Sequence, residues 1–256
     1  MTCFSIITIA KNSLKELERT YESINNQLNA NYEWIVIDGD SIDGTREWLN
    51  KNTLVKRWVS EPDTGIYNAM NKGMALSCGA YLIFMNGGDC FEENISLYKC
   101  QKKIDENNFP SFIYGDSIDV SEDGKHYYRK AKAHTQNWKG MITQHQAMFF
   151  KKLALGDLIY EEGYKLSSDY AFISKFIKQL QENEILYLDF PVCKFSMGGL
   201  NESRRFDALK EDFNIRKKII KLPYYLNASL YLMHYIHTLV KKTYPSSRFI
   251  KHKTTQ

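Results

Sequence analysis

Three carboxylates stand within six residues in the segment IDGDSIDGT, residues 37–45, and belong to Asp38, Asp40 and Asp43. A carboxylate at the end of a strand can accept a hydrogen bond from the N–H of a base, and the adjacent glycines allow backbone to approach a ligand closely. Asp38, still attached to the apolar run, is predicted to contact a ligand. Asp43 is also suited to the start of the next helix, where negative charge is favoured.

A second acidic turn, Asn86-Gly87-Gly88-Asp89, follows another apolar run. Mg²⁺ and Mn²⁺ prefer carboxylate oxygens and often bridge to the phosphates of a substrate. A single carboxylate is equally typical of an ordinary turn, so the four residues alone leave both interpretations open.

A third polar segment, SEPDTGIYNAMNKG, occupies residues 60–73 between a strand pattern and a helix pattern. Asp63 and Thr64 are residue types that begin helices, and the open helix start at Gly65 is suited to a phosphate. Asn71 and Lys72 lie on the same predicted helix, from which they are expected to reach a pyrophosphate.

These segments need a scaffold, and the first half of the chain predicts one. Short apolar strands at 3–10, 33–38, 54–60 and 80–85 alternate with helices at 14–28, 43–49 and 65–77. This alternation favours an α/β fold with a parallel sheet, in which ligands lie beyond the carboxyl ends of the strands. The second half is less regular, and its predicted elements are helix 92–107, strand 111–116, hairpin 118–129, strand 146–150, helix 169–181, strand 185–190 and helices 201–221 and 224–240.

Together these motifs resemble glycosyltransferase family 2, which has the GT-A fold. IITIAKN is similar to the family's opening strand, IVIDGDSIDGT to its VVDDGSTDGT signature, and residues 60–89 to a bacterial surface-polysaccharide subgroup of the O-antigen, capsule and colanic-acid type. Further matches occur at His145-Gln146, at 168–170 and at Gly198-Gly199. The resemblance implies a Rossmann-like nucleotide-binding half at 1–90 with a mostly parallel central sheet, an acceptor half at 91–200, and a C-terminal helical extension at 201–256.

The resemblance also implies roles for individual residues. Those expected to bind nucleotide or sugar are Thr8, Ala10, Asn12, Asp38 (to uracil N3–H), Asp63, Asn71, Lys72, Asn86, His145 and Gln146. Asp89 is expected to bind Mn²⁺ or Mg²⁺, because Asn86 and Gly88 replace the other acidic positions of the family's DxD motif. Asp169 is expected to be the general base.

Several of these side chains also have ordinary structural interpretations. Asp169 follows Ser167 and Ser168, and all three suit the start of a helix. A lone His145 is more often structural than functional. Asp116 and Asp119, beside the fifth strand, are weaker candidates for contact with an acceptor.

The net charge of +4 divides unevenly along the chain. Residues 201–256 carry 12 Lys/Arg and 4 Asp/Glu, a net +8, whereas residues 1–200 carry 22 and 26, a net −4. The tail also contains the Tyr-rich segment 222–240, which is too polar and too short to predict a membrane span. Tyrosines and lysines favour the membrane interface, so a peripheral anchor is predicted; packing on the catalytic domain or a homodimer contact are the alternatives.

The resemblance implies an inverting, metal-dependent hexosyltransferase, with a UDP-sugar as donor and a polyprenyl-diphosphate-linked oligosaccharide as acceptor. With the predicted anchor, the expected location is the cytoplasmic face of the bacterial inner membrane. Five cysteines without a CxxC pair and no secretory signal pattern agree with a reducing compartment, and nucleic acid is not an expected partner.

Two rival functions remain at this point. A nucleotidyltransferase would carry a Gly-rich basic loop after the first strand, where this chain has AKNS. The turn at residues 86–89 has a single carboxylate, which suggests an inactive module that binds a nucleotide sugar or a membrane surface. Asp89 and Asp169 are both retained, which argues against this function.

Overall fold

The computed structural model describes residues 3–198 and 204–243. The expected match at Gly199 and the basic residues Arg248, Lys251 and Lys253 of the tail lie outside the described residues. The strands are β1 (Cys3–Ala10), β2 (Asn31–Asp38), β3 (Val55–Ser60), β4 (Tyr81–Phe84), β5 (Cys90–Phe91), β6 (Phe112–Val120), β7 (His126–Arg129), β8 (Met148–Lys151) and β9 (Ile185–Ser196). The α-helices are α1 (Leu14–Asn25), α2 (Thr45–Lys51), α3 (Ile66–Leu76), α4 (Ser96–Glu106), α5 (Lys152–Leu155), α6 (Ser168–Gln179), α7 (Arg205–Ile215) and α8 (Tyr224–Thr243).

One sheet runs through the molecule in the order β3-β2-β1-β4-β8-β6-β9-β5, and β7 pairs with β6. The first four of these strands are mutually parallel, as the alternation of strands and helices predicts. β8 is antiparallel to both β4 and β6, whereas β9 is parallel to β6. The expected α/β class is confirmed, and the carboxyl ends of β1, β2 and β4 meet at one edge.

The sheet is covered by apolar side chains on both faces. One cluster contains Phe4, Trp34 and Phe149, and a second, on the other face, contains Phe112 and Phe150. Alternate residues of the central strands contribute to opposite clusters, so both faces of the sheet are buried.

The C-terminal helices are continuous with this core. Ile215 of α7 is fully buried against Tyr170 and Ala171 of α6. The predicted helix 201–221 instead changes to a π-helix at Arg216–Ile220, and α8 starts after Pro223, as predicted from the proline. Asn227 joins α8 to this turn: its Oδ1 accepts from Arg216 Nε at 2.7 Å, and its Nδ2 donates to the Phe213 carbonyl at 2.9 Å.

α8 buries one face and exposes apolar side chains on the other. Tyr225, Leu232 and Ile236, spaced by seven and four residues on one helix face, are 71%, 58% and 51% exposed. Among the described residues, no helix combines the length and the apolar character needed to cross a bilayer.

Candidate active site

Asp38 lies at the carboxyl end of β2, where its side chain is fully buried. Its carboxylate accepts from the Ser41 hydroxyl, from the Ser41 backbone N–H at 3.1 Å and from the Ser60 hydroxyl at 2.6 Å. Asn12 faces the same loop: its Oδ1 accepts from Ile42 N–H, and its N–H donates to Ser41 Oγ at 2.7 Å. The structure therefore brings Asn12 and Asp38 together around Ser41 at the edge of the sheet.

Asp43 connects two helix starts. Its Oδ2 accepts from the Leu14 N–H at 2.9 Å, and its Oδ1 accepts from the hydroxyl of Thr45 at 2.6 Å. These hydrogen bonds lower the pKa of Asp43 below its usual value. The capping interpretation of Asp43 is confirmed, and the carboxylate serves α1 as well as α2.

The Asp63 carboxylate lies so close to the backbone of Gly39 that a Cβ atom at position 39 would collide with it. Its Oδ1 accepts from the Gly65 N–H at 3.0 Å. Gly39 thus permits the close approach of the 60–65 segment to the end of β2, near Ala10, whose carbonyl accepts from Gly39 N–H at 2.9 Å.

The turn at residues 86–89 forms the next part of the edge. Asp89 is buried, and its carboxylate accepts from Gln146 Nε2 at 2.6 Å and from Ser196 N–H at 2.9 Å. Desolvation raises the pKa of Asp89 to about 7, against the lowering effect of these hydrogen bonds. Thr20 of α1 holds the turn, since its hydroxyl oxygen lies 3.1 Å from the Asn86 carbonyl and 2.9 Å from the Asp89 carbonyl.

The donor set around this turn has the chemistry of a hard divalent cation, but it is small. The Asn86 Oδ1 atom is buried and makes no hydrogen bond, whereas each Asp89 carboxylate oxygen already accepts one. Within residues 3–198 and 204–243, no group of three His, Cys, Asp or Glu side chains surrounds a common point. Amide and carboxylate oxygens are ligand types that Mg²⁺ and Mn²⁺ accept, and substrate phosphates and water would have to complete the shell.

Asp169 is the second residue of α6 and is half-buried. Its Oδ1 accepts from the Tyr170 N–H at 2.8 Å and from the Tyr67 hydroxyl at 3.2 Å. Desolvation raises the pKa of Asp169 to about 6, and the nearby Asp212 carboxylate adds to the increase. Ser167 makes no side-chain hydrogen bond as the N-cap, whereas Asp169 accepts a first-turn N–H of α6, so the capping interpretation holds for Asp169 but not for Ser167.

His145 lies in a buried aromatic cluster. Its Nε2 is 2.8 Å from the Tyr160 hydroxyl, and its ring stacks on Phe84 with centroids 4.9 Å apart. Burial lowers the pKa of His145 to about 3, so the imidazole is neutral at physiological pH. Tyr160 in turn stacks on Tyr67, and this aromatic contact joins His145 to the residue that holds Asp169.

Three of the expected binding residues do not direct a free side chain to the edge. Thr8 is fully buried: its hydroxyl donates to the Met85 carbonyl at 2.6 Å and accepts from Trp34 Nε1 at 2.9 Å. Asn71 exchanges two hydrogen bonds of 2.9 Å with the backbone of Tyr160. Lys72 pairs with the Glu61 carboxylate at 2.7 Å.

Asp116 and Asp119, the weaker acceptor candidates, are also buried and paired. Asp116 accepts from the hydroxyls of Tyr128 and Tyr187, the latter at 2.8 Å. Asp119 accepts from Gln144 Nε2 at 2.8 Å. Both carboxylates thus stabilise the β6 region.

Sequence reasoning assigned no role to three residues that organise the site, Thr20, Tyr67 and Ser196. Tyr67 lies in the polar segment 60–73, so its position in that motif could have indicated a role in the site. Thr20 and Ser196 carry no such signal, because their contacts depend on how α1 and β9 meet the turn at 86–89.

Comparison with known proteins decides the family. The family model described as glycosyl transferase family 2 matches residues 5–160. The chain belongs to glycosyltransferase family 2. The match includes the edge formed by β1, β2 and β4 and ends before Asp169.

Curated relatives of this glycosyltransferase include mycobacterial enzymes. It is 30% identical to a PGL/p-HBAD biosynthesis glycosyltransferase of Mycobacterium bovis over 177 residues, which cover 66% of this chain and 67% of the relative. It is 28% identical over 218 residues to an uncharacterized glycosyltransferase of Mycobacterium tuberculosis, covering 81% and 80% of the two chains.

Solved structures share the fold of this glycosyltransferase. S. aureus TarS (residues 1–349), crystallised with UDP-GlcNAc, superposes with a TM-score of 0.65 at 16% identity and covers 98% of this chain and 76% of that one. The mannosyltransferase PcManGT of Pyrobaculum calidifontis, in complex with GDP-Man and Mn²⁺, gives a TM-score of 0.65 at 16% identity and covers 91% and 69%. The GT-A-like fold expected from the motifs is confirmed.

Proposed function

We propose that this glycosyltransferase moves a hexose from a UDP-sugar to a polyprenyl-diphosphate-linked oligosaccharide, with inversion, during synthesis of a bacterial surface polysaccharide. The observation that supports this most is the contact between Tyr67 and Asp169. Through this contact, the desolvated carboxylate of Asp169, which lies outside the residues matched by the family model, packs against the segment 60–73. That segment resembles the donor-binding motif. The complexes of TarS with UDP-GlcNAc and of PcManGT with GDP-Man support a nucleotide-sugar donor.

The reaction requires one base and no enzyme nucleophile. Asp169 takes the proton of the acceptor hydroxyl while the hydroxyl oxygen forms a bond to the anomeric carbon. The bond from that carbon to the diphosphate breaks with its electron pair, so the nucleoside diphosphate leaves from the opposite face. A carboxyl pKa of about 6 gives a mostly ionised base at neutral pH that still has proton affinity.

The remaining residues of the edge bind and orient the donor in this proposal. Asp38 and Asn12 face the nucleobase of the donor. Because the Asp38 carboxylate is shielded from solvent, its contact with uracil requires Ser41 to move away. Asp89 and Asn86 would hold Mn²⁺ or Mg²⁺, which supplies positive charge beside the departing diphosphate. Gln146 and Ser196 orient the Asp89 carboxylate.

The test separates donor binding from transfer. Asp169→Asn keeps the side-chain size but removes the base, so we expect UDP-sugar binding to stay within about twofold while kcat falls at least 100-fold. Binding is measured by thermal shift with UDP-, GDP- and dTDP-sugars, each with and without Mn²⁺. Asp157→Asn, an exposed carboxylate, is the matched control. Donor binding by a wild-type chain that transfers no sugar would instead support the inactive binding module.

A second proposal concerns location: the C-terminal helices dock on an anionic membrane at the inner face of the cell membrane. A groove of about 450 Å³ lies between α6 and the π-helix that precedes α8. The groove is lined by Lys175, Lys178, Gln179, Lys218, Ile219 and Lys221. Only Lys175 of these lysines has an ion-pair partner among the described residues, Glu161 at 2.5 Å. Unpaired cations in a C-terminal region that also carries an exposed apolar helix face suit anionic lipid better than a second copy carrying the same charge.

Vesicle sedimentation tests this location. Each lysine near an anionic surface contributes roughly 1 kcal/mol, so Lys218→Gln with Lys221→Gln should weaken binding to phosphatidylglycerol vesicles about 10- to 30-fold. The double change Lys102→Gln with Lys103→Gln, on α4, controls for net charge. Equal binding of both double variants, or a concentration-dependent dimer without vesicle binding, would contradict the proposal.

A further inference from the structure

The loop that precedes Asp169 is held by a side chain from the C-terminal extension. Glu211 of α7 accepts three backbone N–H bonds of 2.9 Å: Oε1 accepts from Lys165, and Oε2 accepts from Leu166 and Ser167. These three residues lead directly into α6, in which Asp169 is the second residue. One carboxylate from a distant part of the sequence therefore fixes the path of the backbone into the proposed base.

Glu211 holds the residues just before α6 and does not take the place of a cap on the first N–H groups of the helix. The first N–H groups of a helix have no partner within the helix, and Ser167 makes no side-chain hydrogen bond to them. A carboxylate that accepts several N–H bonds at a helix start is charge-assisted, and the helix dipole favours it further. The Ser167 hydroxyl also donates to the Ala208 carbonyl of α7 at 3.4 Å, so the two elements are joined at more than one point.

The neighbour of Glu211 acts on the same site. Asp212 is buried, lies 3.7 Å from Arg205, and contributes to the raised pKa of Asp169. On the adjoining surface, Ile215 is buried against Tyr170 and Ala171 of α6. Consecutive turns of α7 thus contact the residues on both sides of Asp169.

We propose that Glu211 is a positioning residue for Asp169 and that α7 is part of the catalytic unit rather than an appended tail. The inference rests on the proposed function, in which Asp169 is the base. Displacement of a reacting group by about 1 Å can cost a factor of about 100 in rate, so loss of the three hydrogen bonds should appear in kcat.

Glu211→Gln is the first variant for the test, because an amide presents an N–H₂ group where the carboxylate accepted a backbone N–H. Glu211→Ala removes the contact altogether. The control is Asp207→Asn on the same helix, whose carboxylate faces the surface and pairs with Arg204 and Lys210. We expect Glu211→Ala to lower kcat 10- to 100-fold and Glu211→Gln, whose remaining oxygen can still accept from Leu166 and Ser167, to lower it by less. The donor KM should stay within about threefold of wild type in both, and the control should match wild type.

Amide hydrogen exchange provides a readout that does not depend on activity. The N–H groups of Lys165, Leu166 and Ser167 should exchange faster in the Glu211 variants, with the core strands as slow as in wild type. If Glu211→Gln keeps the wild-type kcat although these N–H groups exchange faster, the inference about Glu211 is overturned but the proposed function is not. The same holds if the variant loses donor binding as much as it loses kcat. A wild-type chain that transfers no sugar would overturn the proposed function.

Discussion

The polar residues at the sheet edge show what a sequence motif specifies at the scale of single residues. Asp38 and Asp89 were predicted at the strand ends where ligands bind, and Asp169 was expected from the resemblance as a base at the start of a helix. The structure places all three at these positions, each beside polar partners. The positions of Asp38 and Asp89 were predictable because ligands of parallel α/β sheets bind beyond the carboxyl ends of the strands, where both residues lie. Both side chains are nevertheless buried. The use of all three carboxylates in binding and catalysis stays a prediction.

For Thr8, Asn71 and Lys72, the sequence pattern did not predict the direction of the side chain. β1 is buried on both faces, so apolar alternation does not indicate which face looks toward the cleft. Thr8 shares its face with Phe4 and Ile6, and its hydroxyl is satisfied inside that core. Side-chain direction within a fully buried strand depends on packing that the sequence does not display.

Tyr67 leads to a prediction about pH. A general base works in its ionised form, so activity should rise with pH through the pKa of Asp169, about 6. The Tyr67 hydroxyl stabilises the ionised carboxylate, whereas burial and the charge of Asp212 oppose ionisation. Tyr67→Phe should therefore raise the pKa and move the acidic limb of kcat upward by about one unit, equivalent to roughly 1.4 kcal/mol.

The pH profile of kcat at saturating donor measures this shift. Tyr164→Phe removes a hydroxyl from the neighbouring loop, where no hydrogen bond to Asp169 is made, and should keep the wild-type profile. An acidic limb that stays in place in Tyr67→Phe would show that the hydroxyl does not tune the base.

At the scale of elements, the first half was more predictable than the second. β1 has the predicted bounds, and α3 differs from prediction by one residue at each end. β5 has only two residues and is defined by its pairing with β9, so no local pattern marks it. β9 runs six residues beyond its predicted end at 190, through Pro191, because the parallel ladder with β6 continues past the irregularity at Gly115 and Asp116.

The junction of α7 and α8 depends on a polar pair. Asn227, which interrupts an apolar pattern in the sequence, is buried and satisfies both Arg216 Nε and the Phe213 carbonyl. Asn227→Leu leaves these buried groups without this partner, so we expect the free energy of unfolding to fall by about 2–3 kcal/mol. Urea denaturation measures the loss.

Asn227→Asp provides the comparison, because its carboxylate can still accept from Arg216. This variant should recover much of the lost stability. If Asn227→Leu and wild type unfold at the same urea concentration, the pair does not stabilise the junction.

For the whole molecule, the division of charge at about residue 200 does not coincide with a break in the structure. α7 lies beyond that point, yet its residues are buried against α6 and hydrogen-bonded to the loop before Asp169. Charge and composition report what faces solvent, whereas the contact of α7 with α6 is made by a few apolar and acidic side chains. The sequence therefore indicated an extension, with packing on the domain as one alternative, but not the residues through which α7 contacts α6.

The three hydrogen bonds that Glu211 accepts from residues 165–167, called here the Glu211 clamp, also affect the order in which the chain folds during synthesis. A ribosome synthesises the strands β1, β2 and β4 first, and their edge can form early from residues that are close in the sequence. Residues 165–167 receive their carboxylate only after α7 has left the exit tunnel. A truncated product of translation that ends before Glu211 contains the whole donor edge but not the clamp, and we expect it to bind nucleotide sugar without using it efficiently.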